Sequence, residues 1–328
     1  MIAQVSTWFV SPPNIMQPSA KGETCRPVRP KGRYSIARSV PAVALPWQWQ
    51  SSASASSQLF NNNFPAIATS RMRASTARMS LTPPLRPVPL ALQLWSVKDS
   101  VAKDFAATAA KVAALGFKGV ELAGYGGLDA RGTKAALDAS GLRVAGMHIN
   151  PAKLGEINQI IDDALTLGSK HVTCAFWPRT HYVSAAACER IGLRMAEFGA
   201  NLRAVGLQFS FHNHDAELAV HDGRSVLSWI LGAAPPRLLA MEPDVYWLHH
   251  AGYDPARFLL EQGARCPLIH LRDEAEIGYG PVDYPKVFAA IDAVAVAEWL
   301  ILEQDRFNYE PFESLRRGVD RLAQWGRA

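Results

Sequence analysis

The chain has 328 residues, 48% hydrophobic and 19% charged. That suffices for one large core of the 200–250-residue barrel class plus extra chain. No run approaches the roughly 18 uninterrupted apolar residues that cross a bilayer, so a soluble, cytoplasmic protein with no membrane partner is expected. The net charge of +5 is unevenly placed. Residues 1–78 hold nine basic side chains against one acid, Glu23, which leaves 25 basic and 28 acidic residues in 79–328. The basic excess that would point to nucleic acid therefore belongs to the N-terminal segment, and a small molecule is the expected partner of the rest.

Four cysteines, Cys25, Cys174, Cys188 and Cys266, form no Cys-x-x-Cys pair. Free thiols in a reducing compartment are expected, with Cys174 and Cys266 as small core residues on strands.

Residues 1–85 are rich in Ser, Pro, Asn and Arg, as in SSASASSQLFNNNF (51–64), and have no sustained period. Such a segment buries too little apolar surface to offset its ordering entropy. Three readings stand: a disordered extension, an Arg- and Ser-rich targeting segment, or an upstream stretch preceding a true start at Met72 or Met79. The folded domain is expected over 86–328.

From Leu90 onward, short apolar runs alternate with helix-length segments. LALQLW (90–95) precedes a helix over 104–117. GVELAG (119–124) precedes one near 131–140, and LRVAGMHI (142–149) one near 154–168. HVTCAFW (171–177) leads to a long helix near 184–205. LQFSFHNH (207–214) leads to SVLSWILG (225–232), and RLLAMEPDVYW (237–247) to a helix near 254–263. CPLIHLRD (266–273) leads to YPKVFAAI (284–291), and WLILEQD (299–305) to a terminal helix near 310–325. Eight β-α units of this length predict an α/β fold, a (β/α)8 TIM barrel. No Gly-x-Gly-x-x-Gly follows the first strand, which weighs against a dinucleotide fold.

Reactive residues of such a barrel sit at the C-terminal ends of its strands. These ends offer Gln93 and Trp95, Glu121, His148, Trp177, His212 to His214, Glu242 with Asp244, His270 with Arg272 and Asp273, and Glu303 with Asp305. Buried imidazoles and carboxylates are costly unless paired or bound to metal. His212, Asp244, His270 and Glu303 close four consecutive strands, and two imidazoles plus two carboxylates suit one divalent ion: Mn, Co, Zn or Mg. Taken singly, Asp244 reads as a helix N-terminal acid, His270 as a core histidine and Glu303 as an ion-pair partner. Four at consecutive strand ends favour the metal.

From about Leu90 to Arg321 the chain resembles the xylose isomerase-like TIM barrels, the sugar phosphate isomerase/epimerase superfamily. The resemblance rests on LQLWSVKD (92–99), GVELAGY (119–125), FHNHDAEL (211–218), DVYW (244–247), AGYDP (251–255), HLRD (270–273), YGPVDY (279–284) and EQDR (303–306). The HNHD form is similar to one subgroup. The family usually binds one divalent metal through Glu, Asp, His and Glu. Asp244, His270 and Glu303 match the last three positions, whereas the first is His212, with His214 two residues on and expected on the same strand face.

The resemblance implies proton transfer next to a metal-polarised carbonyl of a sugar or polyol, with Glu303 as base and Glu121, across the mouth, as second catalytic carboxylate. Isomerisation or epimerisation follows if the proton returns to carbon. If a carboxyl or imidazole instead protonates a leaving hydroxyl, the outcome is a lyase or dehydratase, inosose dehydratase-like or a 3-keto-glycoside eliminase. His148, His214 and Arg272 would hold substrate oxygens, with Arg272 alternatively paired to Glu242 or Asp273. Trp95, Tyr125, Trp177 and Trp247 offer faces for a sugar ring or simple packing; Trp95 and Trp247 are taken as substrate-binding. No Arg or Lys cluster demands a phosphate. A non-catalytic sugar-binding barrel and an AP-endonuclease-like nuclease are the readings from other classes, and the barrel is compatible with a homo-oligomer.

Overall fold

The computed structural model describes residues 87–328. The expectations for residues 1–85, Cys25 included, lie outside the described residues.

Eight strands pair in parallel throughout. They are β1 (Leu90–Gln93), β2 (Gly119–Leu122), β3 (Arg143–Ile149), β4 (His171–Cys174), β5 (Gln208–His212), β8 (Ala240–Glu242), β9 (Leu268–Leu271) and β10 (Trp299–Leu302), with a small antiparallel ribbon, β6 (Val220–His221) and β7 (Arg224–Ser225), between β5 and β8. The sheet order is β8-β5-β4-β3-β2-β1-β10-β9. β8 and β9 close the barrel: Asp244 and His270 form a parallel bridge, and His270 N donates to Pro243 O at 2.9 Å.

The helices are α1 (Lys98–Lys103), α2 (Phe105–Ala114), α3 (Ala130–Ala139), α4 (Ile157–Leu167), α5 (Ala185–Ala204), α6 (Val226–Gly232), α7 (Val245–His250), α8 (Pro255–Gln262), α9 (Tyr284–Val294) and α10 (Pro311–Gln324). All but α1 and α4 start on a side-chain cap. Asp104, Asp129, Ser184, Ser225, Asp244, Asp254, Asp283 and Glu310 each accept backbone N–H groups of the first turn. Gly116, Gly141, Gly168 and Gly206 all take positive φ where a helix turns toward its next strand, as expected from their spacing.

Strands end earlier than their apolar runs. Gln93 closes β1 because its side-chain oxygen accepts Trp95 N at 3.1 Å and starts a 3-10 turn over Leu94–Val97. VYW of RLLAMEPDVYW belongs to α7, since Asp244 caps that helix instead of continuing β8. β5 stops at His212, so His214 is not on the same strand face as His212.

Two cores result. The large one lies between sheet and helices. A small one, Ala91, Ala145, Leu268, Trp299 and Ile301, fills the barrel near its N-terminal end. Gly119 makes room there: a Cβ on it would come within 2.8 Å of the Trp299 ring. Cys174 and Cys266 are buried as expected, with Cys266 just before β9 rather than on a strand.

Candidate active site at the barrel mouth

The strand ends deliver their polar residues to one cluster. One nitrogen each from His212 and His270 and one oxygen each from Asp244 and Glu303 all lie within 4.8 Å of one another, and all four residues are buried. A second overlapping group, His148, His212, Glu242 and His270, meets the same distance.

Asp244 shows how both readings of one residue hold at once. Its Oδ1 accepts Tyr246 N at 2.9 Å and Trp247 N at 3.1 Å, the helix cap. Its Oδ2 is buried without a hydrogen-bond partner. Asn213 Oδ1 accepts Asp244 N at 3.1 Å and holds the turn in place. Burial pushes the Asp244 carboxyl up to about 6 against the pull of Arg272.

His270 stands between two carboxylates. Its Nδ1 lies 3.0 Å from Glu303 Oε2 and its Nε2 lies 2.7 Å from Glu121 Oε2. In a neutral imidazole only one ring nitrogen carries a proton, so the other would face an ionised oxygen lone pair to lone pair. A cation, proton or metal, must fill that gap. His212 Nδ1 is likewise buried with no hydrogen-bond partner. Burial and the nearby charges of His270, His214 and His148 hold His212 well below the usual histidine range, in the neutral form that ligates metals. His212 Nδ1 lies 3.3 Å from Glu242 Oε2, and the unpartnered Asp244 Oδ2, with the mixed N/O donor set of the cluster, fits a divalent ion.

Beneath these donors lies a second tier. His148 Nε2 is 2.7 Å from Glu242 Oε2 and 3.1 Å from Glu121 Oε2. Burial disfavours a charged His148, but Glu121 and Glu242 outweigh it and raise the ring to about 10. Burial and the Glu121 charge lift Glu242 to about 7. Burial alone would also raise Glu121, yet His148 and His270 outweigh it and hold it low. Burial is outweighed at Glu303 too: the His270 hydrogen bond and the His270 and Arg272 charges hold it at about 2.

Several expected roles are redistributed. Glu121 is fully buried and grips the far side of His270 from Glu303, so the two do not face each other across an open mouth. Arg272 pairs with neither Glu242 nor Asp273. Its Nη2 lies 2.5 Å from Asp305 Oδ2 and its Nη1 3.6 Å from Glu303 Oε1, while its guanidinium stacks over Trp247 at 4.9 Å. Asp273 instead accepts N–H groups of Glu274, Gly278 and Gly280, shaping the loop after β9.

His214 is half-buried, its ring centroid 5.0 Å from His212 and 5.7 Å from Trp247. Burial lowers it to about 4. Trp95 is half-buried beside β1, with Lys98 over its ring. Trp177 is packed, donating to His181 Nδ1 at 3.0 Å, and Tyr125 donates to Asp163 at 2.7 Å; both serve the rim.

Residues without an assigned role at the sequence level also hold the site. Glu217 takes the His214 backbone N–H at 2.8 Å and the Tyr182 hydroxyl at 2.5 Å. Glu242 carries the same two-residue offset from Asp244 that strand alternation would have flagged. Gln93 Nε2 donates to Glu121 Oε2 at 2.8 Å.

Comparison with known proteins agrees with this fold. No curated protein sequence matches the chain. A solved sugar phosphate isomerase/epimerase from Parabacteroides distasonis is 19% identical, covering 76% of this chain and 98% of its own at a TM-score of 0.65. A D-allulose 3-epimerase from Methylomonas sp. is 15% identical over 73% of this chain and 98% of its own, TM-score 0.57. A 3-keto-D-glucoside 4-epimerase from E. coli is 14% identical over 72% and 99%, TM-score 0.54. At these identities the likeness is one of fold. The sequence model of the xylose isomerase-like TIM barrel matches residues 109–325. With that match spanning most of the chain and the barrel closed around its strand-end cluster, the protein belongs to the xylose isomerase-like TIM barrel family.

Proposed function

We propose that the chain is a divalent-metal-dependent isomerase or epimerase of a keto-sugar or related polyol, working by proton transfer next to a carbonyl. The observation that carries this is the buried meeting of His212, Asp244, His270 and Glu303 at the barrel mouth, with Asp244 Oδ2 lacking a hydrogen-bond partner. The epimerases of similar fold, acting on D-allulose and on a 3-keto-D-glucoside, support the substrate class. A divalent ion held by the four residues (Mn, Co, Zn or Mg) would supply Lewis-acid polarisation of a carbonyl and a neighbouring hydroxyl, which acidifies the adjacent C–H.

The chain's own residues do the rest. Glu303 is the only carboxylate of the cluster that keeps some exposure, 8% against 0% for Glu121, Glu242 and Asp244. Its Oε2 is engaged by His270, and its Oε1, 3.6 Å from Arg272 Nη1, is the oxygen that would take the proton from carbon. Held ionised by His270 and Arg272, it is in the form a base needs. His148, His214 and Arg272 border the cluster with donors for substrate oxygens, and the Trp247 and Trp95 rings offer apolar faces for the sugar's C–H side.

A second reading, a lyase or dehydratase, is favoured by one observation. Glu121 is sealed beneath His270, and the second proton carrier, only partly buried, is an imidazole, His148, whose ring is raised to about 10. An imidazolium there would protonate a departing hydroxyl after Glu303 takes the C–H proton, releasing water.

The test is a metal-supplemented screen over ketoses, 3-keto-glycosides and inososes with product analysis. Turnover with wild type and at least a hundredfold loss in Glu303→Gln is expected. Unchanged turnover in Glu303→Gln would remove Glu303 as base. A purified chain with neither bound metal nor metal-stimulated turnover would favour a sugar-binding barrel, and abasic-site incision abolished by His270→Ala a nuclease.

A further inference from the structure

Glu121 sits in a seat that the backbone is shaped to provide. The β2–β3 register shifts between Val120 and Glu121, so that Val120 pairs with Val144 but Glu121 pairs with Gly146. Such a bulge re-aims a side chain out of the regular alternation. Gly146 leaves the space: a Cβ there would stand 2.6 Å from Glu121 Oε1. The carboxylate then takes three side-chain nitrogens at Oε2: His270 Nε2 at 2.7 Å, Gln93 Nε2 at 2.8 Å and His148 Nε2 at 3.1 Å. Its Oε1 is left buried without a hydrogen-bond partner, and with no exposure at all the carboxylate is poorly placed to touch a substrate.

We propose that Glu121 is a positioning residue: it accepts the Nε2–H of His270 and so turns Nδ1 toward Glu303 and the four-residue cluster, where a bound divalent ion would take the place of the Nδ1 proton. The inference rests on the metal-binding reading above and replaces Glu121 as a proton-transfer base. A carboxylate accepting the distal N–H of a ligating histidine fixes ring orientation and raises ligand basicity, and losing one typically costs 10- to 100-fold in metal affinity. Gln93 and His148 share the work of orienting Glu121, and the bulge with Gly146 is the backbone part of the same device.

The test is Co²⁺ binding to the full chain, read by chelator competition and by the cobalt visible spectrum, with the His270 tautomer read by ¹⁵N–¹H NMR on the Zn²⁺-loaded protein. Glu121→Ala should bind Co²⁺ about 10- to 100-fold more weakly than wild type and lose the single Nε2–H tautomer at His270. Glu121→Gln keeps an acceptor oxygen and should recover affinity to within a few-fold. Gly146→Ala leaves every polar group in place and presses on Oε1, so it should weaken Co²⁺ in the same direction while thermal melting confirms a folded chain. Wild-type Co²⁺ affinity and an unchanged tautomer in folded Glu121→Ala or Gly146→Ala would overturn the proposal, as would Glu121→Gln binding as poorly as Glu121→Ala. A wild-type chain that takes up neither Co²⁺ nor Zn²⁺ would instead bring down the metal reading, and this inference with it.

Discussion

The two ends of the barrel are built on opposite principles. At the N-terminal end, Ala91, Ala145, Leu268, Trp299 and Ile301 form an apolar plug, and the charges stay in water around a cavity of about 400 Å³. There Lys170 and His171 pair with a Glu298 whose side chain is 41% exposed, and Arg143 stacks over Trp299 at 4.5 Å. At the C-terminal mouth, Glu121, Glu242, Asp244, Glu303, His212 and His270 are almost fully withdrawn from solvent. Burying that many ionisable groups is expensive unless each is paired, protonated or bound to a cation. One end is arranged for stability at little electrostatic cost, the other for chemistry at considerable cost.

Four substitutions would break or sharpen that contrast. The largest effect is expected at the mouth. His270→Ala removes the ring shared by Glu121 and Glu303 and leaves two buried carboxylates without it. Bound metal should be lost and turnover should fall by on the order of 10³-fold, several kcal/mol of activation energy. Elemental analysis with the same sugar screen checks this, and metal retained at wild-type stoichiometry would remove His270 as a ligand.

Trp299→Ala attacks the base instead. Emptying the plug should cost about 3–5 kcal/mol of stability. The kcat/KM of the folded fraction should stay within about twofold. Denaturant melts paired with activity at low denaturant would show it, and a loss of activity matching the loss of stability would mean that the two ends are coupled.

Asn213→Ala leaves the buried Asp244 N–H unpaired, at about 1–2 kcal/mol. Because that bond seats the turn carrying Asp244, metal affinity should also drop several-fold, measurable by chelator competition. An affinity unchanged at equal destabilisation would reduce Asn213 to a structural role.

The smallest effect belongs to Glu298. Hydrogen bonds from His171, and then from Lys170, outweigh burial and hold it at about 2, below its ordinary 4.5. Its folded form therefore binds fewer protons than its unfolded form between those values. The stabilisation is present above pH 4.5 and is lost as pH falls toward 2. Glu298→Gln should flatten that part of the acid limb by under about 1 kcal/mol, since an exposed pair is screened by solvent. Melts at pH 3 and 7 that show the same pH dependence in both proteins would exclude this pair as a source of acid lability.

The pattern of residues already carried much of the site. His212, Asp244, His270 and Glu303 were legible because each follows an apolar run at a strand end, and the eight-unit alternation places those ends on one rim. Local caps were equally legible, as at Asp254 and Asp283. The pairing of Arg272 with Asp305 was not, because of the alternatives weighed Glu242 is engaged by His148, 94 residues away, and Asp273 turns back onto the N–H groups of its own loop. Nor was the burial of Glu121 legible. Its neighbours are His270, 149 residues away, and a bulge opposite Gly146.

The amino-acid order by itself determined the (β/α)8 alternation, most helix starts and which polar residues reach the mouth, because period and capping are properties of neighbouring residues. Only the tertiary structure decided which oxygen faces which nitrogen: that Asp244 spends one oxygen on a helix cap and keeps the other, and that Glu121 and Glu303 hold opposite sides of one imidazole. Those choices depend on barrel closure between β8 and β9 and on a one-residue register shift between β2 and β3. Both are set by packing across the whole chain, which no local window of sequence contains.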